Sequence, residues 1–372
     1  MRVLITGASG FLGGHLAEGA LRAGHEVRVL VRESSDLTHL RTLSGAGSGV
    51  SGAGSGVSGA GSGVSGAGSG VEFAYGDLTD ADALARAAEG VDVVHHSAAR
   101  VVEYGTRRQF WTANVLGTRL LMDAARGAGA GRFVFISSPS ALMEVGEGDR
   151  FGVDESAPYP SRYYNLYSET KAAAERLVLS ANRPDFTTLS LRPRGVWGER
   201  DHAGFLPRLV TRMAAGRLPD LPGDRTVLAS LCHCDNAVAA ALLAAEAPAG
   251  RVGGRAYFVA DREHTDIGAL LRRLAALFGV RPPSRRIPPP VRDGLVEAVE
   301  LLWRLPALAA RYEPPLTRYA VALLTHSTTY DTAAAERDFG YAPVIGQEEG
   351  LRRLMAWAEP LGGAAYFRRR LG

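Results

Sequence analysis

The residues "RVLITGASGFLGGHLAEGALRAG", positions 2–24, do most to limit what this chain can fold into. A short apolar run ends at Gly7, and residues with helical spacing begin at Phe11. This reads as a strand that passes through a glycine turn straight into a helix. Gly7, Gly10 and Gly13 punctuate the turn. Glycine allows a sharp turn and a close approach of backbone to a bound group, and the amides of a helix N-terminus favour negative charge. Spaced glycines alone say little. A strand before and a helix after turn them into a candidate pyrophosphate cradle.

The alternation continues through "EVRVLVR", "VEFAYGDL", "VDVVHHSA", "RFVFISS" and "FTTLSLRPRGVWG" as strands. Between them lie helical stretches such as "DADALARAAEG", "TANVLGTRLLMDAARGAG" and "SETKAAAERLVLSAN". Near-continuous apolar strands separated by helices predict a doubly wound α/β fold, its parallel sheet covered on both faces. After about Gly198 the rhythm gives way to Pro- and Arg-rich turns and helices, which predicts a smaller, mostly helical C-terminal substrate lobe. The expected division is residues 1–198 for the cofactor domain, with 229–262 returning to it through the strand in "AYFVADREHT". Residues 199–228 and 263–372 then form the substrate lobe.

One segment is foreign to this pattern. The heptapeptide "SGAGSGV" occurs four times in tandem over residues 44–71. Each copy offers one valine and three glycines, too little apolar surface for a coiled coil, so the segment reads as a flexible inserted loop without a chemical role.

Composition removes several function classes. Net charge is +3 with arginine dispersed along the chain, so no nucleic-acid-binding stripe is expected. The two cysteines, Cys232 and Cys234, cannot build a disulfide framework, and they read as reduced thiols near a strand end, with no metal site. They suggest a reducing compartment, and the opening residues do not resemble a secretion signal, so a cytoplasmic location is expected. No run of 18 apolar residues predicts a membrane span. The amphipathic stretch 291–312, interrupted by Pro306, reads as a packed helix pair or a pocket cover; peripheral attachment to a membrane surface is the weaker reading.

The chain holds 42 basic lysine and arginine residues, and Lys171 is the single lysine. It lies four residues after Tyr167 on a helical stretch, so both side chains share one face. With 12 tyrosines in 372 residues, chance places a tyrosine four before a given lysine about 3% of the time. A phenol of ordinary pKa about 10 relays protons poorly at neutral pH, and a neighbouring ammonium is expected to lower that value. Lysine's compact charge can also hydrogen-bond a ribose where a planar guanidinium would not fit equally.

Other candidates fall on the same expected sheet edge. Ser138 is the first choice to bind a substrate oxygen, with Ser137 and Ser140 as alternatives. Asn114 is expected to hold the active-site helix and a proton-relay water, a helix-surface role being the alternative. Asp77 could accept an adenine amino group, and the small residues Ser97, Ala98 and Ala99 let a cofactor lie against backbone. At the second strand's end stands Val31, then Arg32, where an NAD site would place a carboxylate. NADP(H) is therefore favoured and NAD(H) is the alternative, with Glu33 close by. The apolar segment within 291–312 and Trp197 suggest an apolar substrate pocket.

Taken together, "TGASGFLG", "GDLTD", "HHSAA", "NVLGT", "ISSPS", "YSETKAAAE" and "LRPRGVWG" resemble the extended short-chain dehydrogenases/reductases, which include the NAD-dependent epimerases/dehydratases. "VDESAPYP", "RPRGVWGERD" and the late "YDTAAAERDFGYAP" are most similar to the 3β-hydroxysteroid dehydrogenase and 2-alkyl-3-oxoalkanoate reductase branch. The resemblance implies a Rossmann-type fold, with Tyr167 as acid/base, Lys171 as its partner and ribose anchor, and Ser138 orienting the reacting oxygen. It extends the cofactor site to Ser9, Phe11, Leu12, Leu78 and Pro193 beside the glycines. It also implies hydride transfer between a nicotinamide and a ketone or secondary alcohol on a small apolar substrate such as a 3-oxo acid or a sterol. Homodimers occur among such relatives. The alternatives are a nucleotide-sugar epimerase or dehydratase using NAD transiently, and a non-catalytic cofactor-sensing protein. Cys234, where the branch carries an aliphatic residue, and the heptapeptide insert depart from the pattern.

Overall fold

A computed structural model describes residues 1–44, 70–102, 104–303, 305–309 and 311–371. Seven parallel strands form the main sheet: β1 (Arg2–Thr6), β2 (Glu26–Val31), β3 (Val71–Tyr75), β4 (Val93–His96), β5 (Arg132–Ile136), β6 (Thr187–Pro193) and β7 (Ala256–Val259). Their spatial order is β7-β6-β5-β4-β1-β2-β3. Order reverses between β1 and β4, and the crevice at such a switch point is where open α/β sheets bind ligands.

The strands are apolar on both faces because both faces are covered. Val3, Ile5, Val27 and Val29 belong to one buried cluster with Leu16, Ala17 and Ala20 of α1 (Phe11–Arg22). Leu4, Leu30, Val94 and Phe133 join another with residues of α2 (Ala81–Ala88), α3 (Gly117–Gly127) and α4 (Leu166–Ser180). The doubly wound fold expected from the sequence is the one observed.

Two local readings differ. "FTTLSLRPRGVWG" is two strands, because Pro193 ends β6 and Gly195 turns the chain at φ +52°. Val196–Trp197 then pairs with Cys232–His233 instead. The helix predicted from "TANVLGTRLLMDAARGAG" begins earlier, at Arg107, under a Thr106–Gln109 capping box. It passes through a π-helical turn at Thr112–Leu116 before α3. Such single wide turns recur at functional sites.

The C-terminal half has its own core, built from Leu209, Met213, Leu271, Leu354 and Phe367 among others. Beside its helices lies a four-stranded sheet to which Arg150–Val153, from the first half, contributes an edge. Its other strands are three residues long, too short to leave a period-2 pattern in the sequence. Cys232 and Cys234 are both free and buried. Among the described residues no helix is long and apolar enough to cross a membrane.

The flexible-loop reading of the heptapeptides falls on residues 45–69, outside the described residues. The two ends of that stretch meet, since Ser44 Oγ accepts the Val71 N–H at 3.2 Å. A Cβ placed on Gly70 would lie 3.0 Å from Ser44 Cα. Joining Ser44 directly to Gly70 therefore needs little backbone movement. The spliced chain should unfold within about 2 °C of the full chain, with turnover within about twofold. A midpoint lowered by more than about 5 °C in a thermal melt would show that the repeats support the fold.

Candidate active site

The glycine turn is built by steric exclusion. Gly7 sits at φ +75°, and a Cβ there would come within 2.7 Å of the Ala98 backbone nitrogen. A Cβ on Gly13 would lie 2.2 Å from the Gly7 carbonyl oxygen, so the helix can seat against the turn only without one. The Gly10 N–H donates to Gly7 O at 2.9 Å and closes the loop. Gly10 is also the N-cap of α1, and no side chain caps the first amides. The uncapped amides and the Cβ-free cradle fit an anionic dinucleotide.

A cavity of ≈1270 Å³ opens over this turn. Gly7, Ser9, Gly10, Phe11, Leu12 and Gly13 line one end of it. Arg32, Asp77, Leu78, Ser97, Ala98 and Ala99 also line it, as do Ser138, Tyr167, Lys171 and Pro193. Arg32 is exposed there, beside the half-buried Ser35, whose Oγ accepts the Arg32 N–H at 3.2 Å. Asp77 Oδ1 accepts the Thr79 N–H and hydroxyl at 3.1 and 2.9 Å.

The candidate reacting groups stand on α4, whose N-cap Asn165 accepts the Ser168 N–H at 2.8 Å. Tyr167, Lys171 and Glu175 follow one another at four-residue spacing along one face. Glu175 is fully buried, with Arg192 Nη2 at 2.7 Å and the hydroxyls of Ser190 and Tyr159 both at 2.7 Å. Burial alone would raise its carboxyl, but Arg192, Ser190 and Tyr159 outweigh burial and hold it below the usual range. Lys171 Nζ donates to Ile136 O at 2.6 Å, at the end of β5. Burial pulls the Lys171 ammonium down to about 7, against the pull of Glu175 in the other direction.

The phenol departs from expectation. The four-residue spacing predicts an ammonium that lowers Tyr167, but burial pushes that phenol up to about 12, and the Ser138 hydroxyl offsets only part of the rise. The shared low-dielectric wall penalises both charged forms, phenolate and ammonium alike. Tyr167 is consequently held as the neutral acid, the form that can give a proton away.

Of the three serines, Ser138 is the one whose hydroxyl bears on the phenol. It caps the turn Pro139–Leu142, accepting the Ser140 N–H at 3.2 Å. Ser137 and Ser140 also line the cavity, with buried hydroxyls that find no protein partner among the described residues.

Asn114 is neither a helix-surface residue nor a cavity residue. It is 2% exposed in the π-helical turn, where its Oδ1 accepts the Arg100 N–H at 2.7 Å. Its Nδ2 donates to Thr170 Oγ1 at 3.0 Å and to Arg100 O at 3.3 Å. The amide is spent on fixing the loop after β4 against α4, so no relay water follows from its geometry. His96, which the sequence reading passed over, joins Thr6 Oγ1 at 2.7 Å to Thr118 Oγ1 at 2.9 Å and locks the ends of β1 and β4. Burial pushes it down to about 3, so it is neutral there.

The apolar pocket wall is also not where the sequence placed it. Trp197 is buried outside the cavity, donating to Asp261 Oδ2 at 2.9 Å. The helix Pro289–Leu302 buries only Val296, leaves Val291, Leu295, Leu301 and Leu302 exposed, and contributes no residue to the cavity wall. Met143, Phe205, Tyr319 and Leu323 form that wall instead. They come from three separate segments, Tyr319 and Leu323 sharing one face of the helix Arg318–Thr325, and no local pattern connects that helix to Met143 or Phe205. Arg194, Arg200 and Arg208 also line the cavity and were not anticipated.

The profile of the NAD dependent epimerase/dehydratase family matches residues 3–260. A 2-alkyl-3-oxoalkanoate reductase of Stenotrophomonas maltophilia is 35% identical over 359 residues, covering 96% of this chain and 99% of that protein. A 3-beta-hydroxysteroid dehydrogenase of Mycolicibacterium neoaurum is 30% identical, covering 96% of this chain and 90% of that one. Among solved structures, that of gox2253 superposes with a TM-score of 0.72 at 26% identity, covering 97% of this chain and 98% of the other.

Proposed function

The chain belongs to the NAD dependent epimerase/dehydratase family and is an NAD(P)-dependent oxidoreductase acting between a ketone and a secondary alcohol; within that activity we propose that Tyr167 moves the proton, Ser138 orients the reacting oxygen and NADPH is the preferred cofactor. The observation that carries this reading is the joint placement of Tyr167, Ser138 and Lys171 on the wall of the cavity that the glycine turn opens. When bound, the nicotinamide supplies or accepts the hydride.

In the reducing direction a carbonyl oxygen accepts from Ser138 and Tyr167, and the neutral phenol gives its proton as negative charge develops on that oxygen. The phenolate left behind is met by the Lys171 ammonium, which Glu175 favours from one turn further along α4. Closed within protein, this charge transfer needs little solvent reorganisation. The apolar residues Met143, Phe205, Tyr319 and Leu323 suit an apolar substrate better than a nucleotide sugar.

Cofactor preference rests on Arg32. It lines the cavity at the end of β2, while the exposed Glu33 does not. A guanidinium there favours an added phosphate on the ribose. Absorbance assays with 3-oxo acids, sterol ketones and nucleotide sugars should show NADPH used in preference to NADH. Arg32→Ala should raise KM for NADPH about 10- to 100-fold while leaving KM for NADH nearly constant. Equal use of both cofactors by the unaltered chain would remove the preference.

A further inference from the structure

Along β6, Ser190 and Arg192 face α4, and both bond to Glu175. Strand alternation puts the next residue of that row at Arg194, one step past the end of β6. The α4 row runs the other way, from Glu175 through Lys171 to Tyr167, toward the same cavity. The two arginines differ in how their charge is met. Arg192 has the Glu175 carboxylate at 2.7 Å. Arg194, only 7% exposed, has no carboxylate within ion-pair distance among the described residues. Its Nη1 donates to the Thr328 carbonyl at 2.5 Å, and its guanidinium lies 5.9 Å from the Tyr330 ring centroid.

Two other arginines of the cavity provide a contrast. Arg200 is paired with Glu18 at 2.7 Å, and Arg208 with Glu313. A buried guanidinium left with one carbonyl and a ring face keeps most of its desolvation cost, and its planar fork matches a carboxylate. Around it the wall is apolar. Ala229 pairs with Thr328, Leu231 packs against the backbone at Gly195, and both face the cavity.

We propose that Arg194 binds a carboxylate of the substrate, so that the chain acts on an oxo or hydroxy acid with an apolar tail. This rests on the ketone and alcohol reading and narrows it. The acid group sits on Arg194 while the reacting C–O bond lies at Tyr167 and Ser138. A neutral polycyclic alcohol would leave the guanidinium uncompensated. Arg194 selects the substrate and takes no part in moving hydride or proton.

The test uses the NADP⁺-loaded full chain, with racemic 3-hydroxydodecanoate and its methyl ester as paired substrates. The unaltered chain should oxidise the acid with kcat/KM at least about tenfold above the ester. Arg194→Gln should lower kcat/KM for the acid about 30- to 100-fold, mostly through KM, and change the ester less than about threefold. Arg194→Lys should recover part of the loss. Because Arg194 also holds Thr328, thermal midpoints of both variants are compared with that of the parent. Equal losses on acid and ester, or no preference for the acid, overturn the proposal while the oxidoreductase reading stands. Should neither compound turn over, the reading itself fails for these substrates. Equilibrium titration of the acid against the parent and Arg194→Gln then decides: a weaker Kd in the variant supports the proposal, and equal values end it.

Discussion

Tyr167→Phe should lower kcat for ketone reduction by about 10³-fold or more, with the Kd for NADPH within about threefold of the parent. The substitution removes one hydroxyl and keeps the ring that fills the wall, so packing and the glycine turn persist. Ser138 still orients the carbonyl, but its hydroxyl is too weak an acid to replace a phenol. The companion readout is pH. Lys171 is held at about 7, so the ammonium that stabilises the phenolate is present below that value and lost above it. In the unaltered chain, kcat/KM for reduction should therefore fall as pH rises through about 7, well before the phenol itself titrates at about 12. Lys171→Met should lower the rate and flatten that limb. Full turnover by Tyr167→Phe, or a parent profile level from pH 6 to pH 9, would remove the proton-transfer roles given to these side chains.

Gly13→Ala should abolish tight cofactor binding and lower stability together. The added methyl would stand 2.2 Å from Gly7 O and 2.5 Å from Gly7 C, both backbone atoms that no rotamer change can move aside. Either α1 backs away from β1 or the Gly7 turn opens, and both break the cradle. Overpacking of this kind costs about 1–3 kcal/mol, which predicts a clear drop in thermal midpoint. The Kd for NADPH should rise at least about 100-fold, because the first amides of α1 no longer point at one place. Gly24→Ala provides the contrast, since a Cβ there meets nothing within 4 Å and its cost is only the backbone strain at φ +79°. Cofactor binding in that variant should stay near that of the parent. A Gly13→Ala chain that still binds NADPH tightly would show that the turn is not the pyrophosphate site.

What could be read from the sequence follows the range of the forces involved. The glycine turn, the alternation of strand and helix, and the Tyr167–Lys171 spacing are local features. Each is set by backbone sterics or by the helical repeat, so neighbouring residues suffice to reveal it. The serine turn after β5 was legible too, but the preference for Ser138 over Ser137 and Ser140 came from its place in the motif that the chain shares with its relatives. Asn114 was legible as a residue worth naming, but not in its role, because Arg100 and Thr170 come to it from other elements.

The electrostatics needed the assembled molecule. Sequence spacing set the ammonium beside the phenol and argued for a lowered phenol pKa. How deeply both groups are buried depends on β5, β6 and the turns around them, and burial reverses the direction for Tyr167. The substrate wall belongs to the same class, as Met143, Phe205 and the Tyr319–Leu323 pair lie far apart along the chain. Arg194 is the sharpest instance. In the sequence it is one arginine among dozens, and only the arrival of Thr328 and Tyr330 beside it, with Glu175 already engaged by Arg192, leaves its charge without a carboxylate partner among the described residues. The sequence by itself determined the fold and brought the candidate reacting groups into view, because hydrogen bonding, sterics and apolar periodicity act between near neighbours. The tertiary structure decided their protonation and the shape of the pocket, because desolvation is set by whichever distant segments close over a group.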